Sequence, residues 1–113
     1  MTLIYHLAPA LRWHTWPSDS AYLPAEYAAD GFVHCTAGDA LMLQVANHHY
    51  RATPGDFVLL VIDPGLLTSE LRWEQPADGL APVFPHIYGP IDRTAVVAVY
   101  SVRRAADGTF EGW

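Results

Sequence analysis

Apolar positions along this chain recur with two different periods, and the switches between them mark its elements. Thr2 to Leu7 gathers β-branched, aromatic and aliphatic types and predicts a first strand. Pro9 suits the opening turn of a short helix through Ala10, Leu11, Trp13 and His14, which Pro17 ends. Ser18 to Asp30 is mixed and polar, a loop with some helix, and Gly31 to Thr36 (GFVHCT) is a brief strand opened by glycine. The clearest helix starts with Asp39 as N-cap. Leu41, Val45 and His48 follow at i, i+4 and i+7, with Met42, Ala46 and His49 beside them, and the helix ends near Tyr50. Phe57 to Asp63 is an unbroken apolar run suited to a fully buried central strand. Glu70 to Glu74 predicts a short strand and Gln75 to Pro82 a loop, while Phe84 to Pro90 is too interrupted by Pro and Gly for a regular element. Ala95 to Val102 predicts a last strand, and from about residue 105 the chain reads as a tail with an Asp-Gly turn and Trp113 as a loosely packed anchor. Strands dominate, so the expected class is α+β.

Composition narrows this picture. The 113 residues support one domain spanning 1–113, and 51% hydrophobic content is too apolar for disorder. The longest apolar run is too short to span a bilayer, and the N-terminal segment lacks the basic start and apolar core of a signal peptide. One cysteine, Cys35, forms no internal disulfide and fits a reducing cytoplasm. Twelve acidic residues against six basic give a net charge of -6. All six basic residues are arginine, which excludes a Walker-type lysine and a Schiff-base enzyme. Such a chain is not expected to bind nucleic acid or membrane, because phosphate-backbone binding needs a basic face. Six histidines in so small a chain are the natural place to look for chemistry.

Two same-side pairs stand out. His86 and Tyr88, two apart, point the same way in extended backbone, and Pro85, Gly89 and Pro90 stiffen the segment around them. His34 and Thr36 form the second pair, an imidazole and a hydroxyl suited to a ribose, a phosphate, or base-and-nucleophile work. Each pair also has a purely structural reading, as a hydrogen-bonded turn or the edge of a core. Glu74 follows Leu71, Arg72 and Trp73 and serves either as a site acid or as the partner of Arg72. A His34/His86/Glu74 metal set is compatible with the spacing, but one Cys and no HxxxH or CxxC pattern argue against zinc, and no metal is expected. His48 and His49 are accounted for by the helix C-terminal dipole.

The strings IYHL (Ile4 to Leu7), DGFVHCT (Asp30 to Thr36), VANHHY (Val45 to Tyr50), LLVID (Leu59 to Asp63), LRWE (Leu71 to Glu74) and FPHIYGPI (Phe84 to Ile91) occur in that order. Together they resemble the small bacterial proteins of domain-of-unknown-function family 952, from about Leu3 to Val102. Members of that family resemble in fold the ADP-ribosyltransferase superfamily, including its RNA 2′-phosphotransferase branch. The resemblance implies a split, strongly bent sheet around a cleft that holds NAD, as substrate, or a related nucleotide. Carried over by position, it makes His6 the first-strand group on the nicotinamide-side ribose, His34 and Thr36 the second-strand pair, and Tyr50 the stacking aromatic. Glu74, or alternatively His86, would be the acid or base late in the chain that completes the site, with Tyr88 a second stacking ring. The phosphotransferase branch relies on basic residues, for which Arg72, and beyond it Arg51 or Arg12, are available.

The expected function is therefore an ADP-ribosyltransferase-like enzyme or enzyme remnant with a nucleotide ligand. His34, Glu74 and His86 are its candidate catalytic residues, and His6, Thr36, Tyr50, Arg72 and Tyr88 its candidate binding residues. A non-catalytic module that keeps the same cleft for a small ligand or a protein partner is the alternative. The sequence leaves the oligomeric state open.

Overall fold

The run FVLLVI folds as one strand, buried at every residue, and two cores form on its two faces. Its odd-numbered members Phe57 and Leu59 join Leu7, Met42, Ala46 and Phe110, whereas Val58, Leu60 and Ile62 join Ile4, Ala8, Val33 and Ile87. This is the alternation that a two-residue side-chain period imposes on a strand covered on both sides. The structure is a computed structural model describing residues 2–75 and 82–113. In chain order its elements are β1 (Ile4–Pro9), α1 (Ala10–Thr15), α2 (Tyr27–Asp30), β2 (Val33–His34), α3 (Asp39–His49), β3 (Phe57–Ile62), β4 (Glu70–Glu74), β5 (Phe84–Tyr88), β6 (Val96–Ser101), β7 (Arg103–Arg104) and β8 (Phe110–Gly112).

The strands make two three-stranded antiparallel sheets, β1-β3-β6 and β2-β5-β4, and a two-stranded hairpin, β7-β8. The two larger sheets are stitched together where Tyr5 and Thr36 exchange backbone hydrogen bonds of 2.7 and 2.8 Å. The class is α+β, mostly strand with a few short helices. No helix among the described residues is long and apolar enough to cross a membrane.

Three expectations from sequence need correcting, and one lies outside the described residues. The Phe84–Pro90 segment is not irregular: Phe84–Tyr88 is the central strand of the second sheet. Pro85 is tolerated because it needs only its carbonyl, which accepts from the Cys35 N–H at 3.1 Å. The stretch after residue 105 is not a tail. Phe110 is buried in the second core, and Trp113 packs its edge against Tyr5 with ring centroids 6.1 Å apart. The N-cap of α3 is Gly38, at φ 94, with Asp39 as the first helical residue and no side-chain cap. Of the expected Gln75–Pro82 loop, residues 76–81 lie outside the described residues.

Candidate functional site

Cross-strand register decides what the second sheet presents to solvent. His34 pairs with His86, and Arg72 and Glu74 pair with His86 and Phe84, so these side chains share one face. Leu71, Val33, Pro85 and Ile87 alternate with them and turn into the first core or its rim. The polar face forms the floor of a cleft of about 770 Å³, and Val45, His49 and Tyr50 at the end of α3 form the opposite wall.

Glu74 is the focus of that floor. Its Oε1 accepts from the Tyr88 hydroxyl at 2.6 Å and from the His86 Nδ1–H at 2.8 Å. Both bonds favour the ionised carboxylate, and together they hold Glu74 below the usual carboxylate range, Tyr88 contributing more than His86. The same hydrogen bond raises the phenol of Tyr88, because it holds the proton on the hydroxyl, and burial and the carboxylate's charge add to the effect. His86 is then fixed from its other side: Phe32 stacks on it, with centroids 4.1 Å apart and planes 20° apart. On the neighbouring strand β2, His34 Nε2 lies 2.9 Å from Asp30 Oδ2, four residues back at the end of α2. The His34 and His86 rings stand edge to face at 5.5 Å. The cleft therefore holds two imidazoles, each oriented by its own carboxylate, an arrangement suited to proton transfer and to stabilising positive charge.

The structure distributes the eight candidate residues unequally. His34, Thr36, Tyr50, Glu74, His86 and Tyr88 line one cleft. Thr36, although part of the lining, is 97% buried, so it presents little of its side chain. His6 does not line the cleft. It is buried behind β2, where its Nδ1 sits 2.7 Å from the His34 carbonyl oxygen. In place of a ribose contact, it supports the strand that carries His34. Arg72 shares the sheet face but lies outside the lining, bidentate on Glu70 at 2.9 and 3.1 Å and with its guanidinium 4.4 Å from the Tyr88 ring centre. It thus pairs with Glu70, not with Glu74.

Glu26, Asp30, Phe32 and His49 are among the cleft residues that escape a reading from sequence. Asp30 and Phe32 flank His34 at i−4 and i−2, and the i−2 spacing puts Phe32 on the histidine's side of the chain. His49 faces the cleft, so the helix dipole does not fully account for it. Burial, followed by the charge of neighbouring histidines, lowers its pKa. Cys35 borders the cleft but is 3% exposed, and burial pushes its thiol up, away from nucleophilic use. Among the described residues no three His, Cys, Asp or Glu side chains converge to hold a metal ion. His34 and His86 are each turned onto a carboxylate, and not toward a common point.

Residues 7–99 match the model of a family described as Protein of unknown function (DUF952). The crystal structure of protein CC0527 from Caulobacter crescentus is similar at a TM-score of 0.81 and 29% identity, over 97% of this chain and 94% of that one. The solution NMR structure of CC0527 gives a TM-score of 0.75 and 30% identity, over 96% and 90% of the two chains. A comparison with curated proteins finds no match.

Proposed function

The chain belongs to the DUF952 family, and from that premise we propose that it is an ADP-ribosyltransferase-like enzyme that breaks the N-glycosidic bond of a pyridinium nucleotide such as NAD. The observation that carries this reading is the Glu74 carboxylate, held by Tyr88 and His86 at the floor of a cleft large enough for a nucleoside. The aromatic side chains Phe32, Tyr50 and Tyr88 beside it suit a flat heterocycle.

In the proposed reaction the C1′–N bond breaks heterolytically and its electron pair moves to the ring nitrogen, so nicotinamide leaves uncharged. The ribosyl group is left with oxocarbenium character, which the ionised Glu74 stabilises electrostatically. A hydroxyl nucleophile, water or an acceptor alcohol, then forms the new C1′–O bond. Its proton passes to Nε2 of His86, the nitrogen turned away from Glu74, while Nδ1–H stays on the carboxylate. His34, held by Asp30, takes a ribose hydroxyl. His6 acts through the backbone of β2, as a positioning residue.

The test is nicotinamide release from millimolar NAD, followed by chromatography. Wild-type protein is expected to release it, and Glu74→Gln, which removes the charge but keeps the shape, is expected to be about 10²-fold slower. Absence of release by the wild type, across water and simple alcohol acceptors, overturns the proposal. Binding that survives Glu74→Gln with no turnover in either protein would instead point to a non-catalytic module.

A further inference from the structure

We infer that the part of the substrate admitted to this cleft is an organic cation, and that any phosphate the substrate carries stays outside. The inference deepens the reading above and rests on it only for the glycosyl group. Its first ground is the fate of the positive charge. The chain has no lysine, and none of its six arginines lines the cleft. Arg12 is bound to the Leu23 carbonyl, Arg51 to Asp107 and Arg72 to Glu70. Arg93 lies over Trp13, Arg103 borders a separate small pocket, and Arg104 is bound to loop carbonyls. A diphosphate in the cleft would meet no guanidinium, the group best matched to it.

Negative charge and aromatic faces are what the cleft does offer. Glu26, Asp30 and Glu74 all contribute to its lining. The charges of Glu26 and Asp30 reach across to Tyr50, adding to burial in raising its phenol. As neutral imidazoles the two floor histidines each donate to a carboxylate, at 2.8 to 2.9 Å, and leave its charge in place. Rings next to carboxylates, in a concave site, form the arrangement that selects quaternary and aromatic cations over neutral isosteres.

The experiment is calorimetric titration of the full chain with matched probes. 1-Methylnicotinamide and nicotinamide share one ring and differ in charge. Nicotinamide riboside, ADP-ribose and pyrophosphate then separate the nucleoside from the phosphate contribution. The cationic ring is expected to bind at least about tenfold tighter than the neutral one. Nicotinamide riboside is expected to bind tighter than ADP-ribose, and pyrophosphate not to compete with it. Glu26→Gln, a change at an exposed position, is expected to weaken the cation about threefold or more and leave nicotinamide unaffected. Equal binding of the two rings, or ADP-ribose binding tighter than nicotinamide riboside, overturns the inference. Selective cation binding without glycosidic cleavage sustains the inference and removes the enzymatic reading. Cleavage of NAD with ADP-ribose as the tighter ligand does the reverse.

Discussion

Glu74 Oε1 accepts two hydrogen bonds at once, from Tyr88 and from His86, and the stronger effect on its ionisation comes from the phenol. Removing that donor therefore has a defined sign. Tyr88→Phe should move the Glu74 pKa back up toward the ordinary carboxylate value, shifting the acid limb of any Glu74-dependent pH profile upward. Tyr88→Phe should leave His86 on the carboxylate, so NMR titration of the Glu74 side chain can read the shift directly; a pKa unchanged or lower would contradict the geometry. His6 is lowered too, but from a different cause. Burial holds its imidazole neutral and lowers its pKa, outweighing the hydrogen bond to the His34 carbonyl. Below about pH 6.5 the unfolded chain takes up a proton at this residue that the folded chain refuses, so stability falls as pH falls. The partly exposed His49, also lowered, adds to the same trend. Urea midpoints compared at pH 8 and pH 5.5 should show the loss, and His6→Phe, although less stable at pH 8, should show a smaller drop between the two.

At the scale of elements, sequence reading works where one period runs uninterrupted and fails where the deciding contact is distant. The α3 helix, the buried β3 strand and the short β4 strand are legible because their own side chains carry the pattern. β5 is not, because Pro85 and the glycine after Tyr88 are local breakers whose acceptance depends on β2 and β4 on either side. The β7-β8 hairpin escapes for a similar reason: an Asp-Gly turn is visible, but the burial of Phe110 depends on α3 and β3. The candidate site follows the same rule. Same-side pairs two residues apart, His34 with Thr36 and His86 with Tyr88, are readable from the strand period. That Phe32, just ahead of β2, stacks on His86 of β5 is set by the sheet register, and that Asp30 holds His34 is set by the left-handed turn at Gly31 between α2 and β2. The glycine closing β5 offers a test at this scale. Gly89 has φ +147, and a Cβ added there would lie 2.4 Å from Ser69 Oγ and 2.9 Å from Ser69 Cβ. Ser69 cannot yield freely, since its hydroxyl donates to the Pro90 carbonyl at 2.7 Å. Gly89→Ala should thus destabilise the protein by about 1–3 kcal/mol, measured by urea unfolding, and should loosen the β4–β5 pairing that carries Glu74 and His86.

Over the whole molecule, β3 separates two cores, and the cleft is built from both. Its floor belongs to the sheet packed on the first core, while its α3 wall belongs to the second. The wall is fastened to β8 by one side chain. Asn47 donates to the Phe110 carbonyl at 3.1 Å and accepts the Phe110 N–H at 2.8 Å, a closed pair of bonds spanning 63 residues of sequence. Asn47 itself touches nothing in the cleft, yet Val45, His49 and Tyr50 ride on the same helix end. Asn47→Ala leaves two part-buried backbone groups without partners, which should lower stability by about 1–3 kcal/mol. If the α3 wall helps to grip the ligand, the same change should weaken 1-methylnicotinamide binding while leaving the Glu74–His86 pair intact. Thermal unfolding, calorimetry and the His86 NMR signals measure these three effects separately. Lost stability with unchanged affinity would mean that the floor binds alone, and a disturbed His86 signal would mean that the two cores are not mechanically independent.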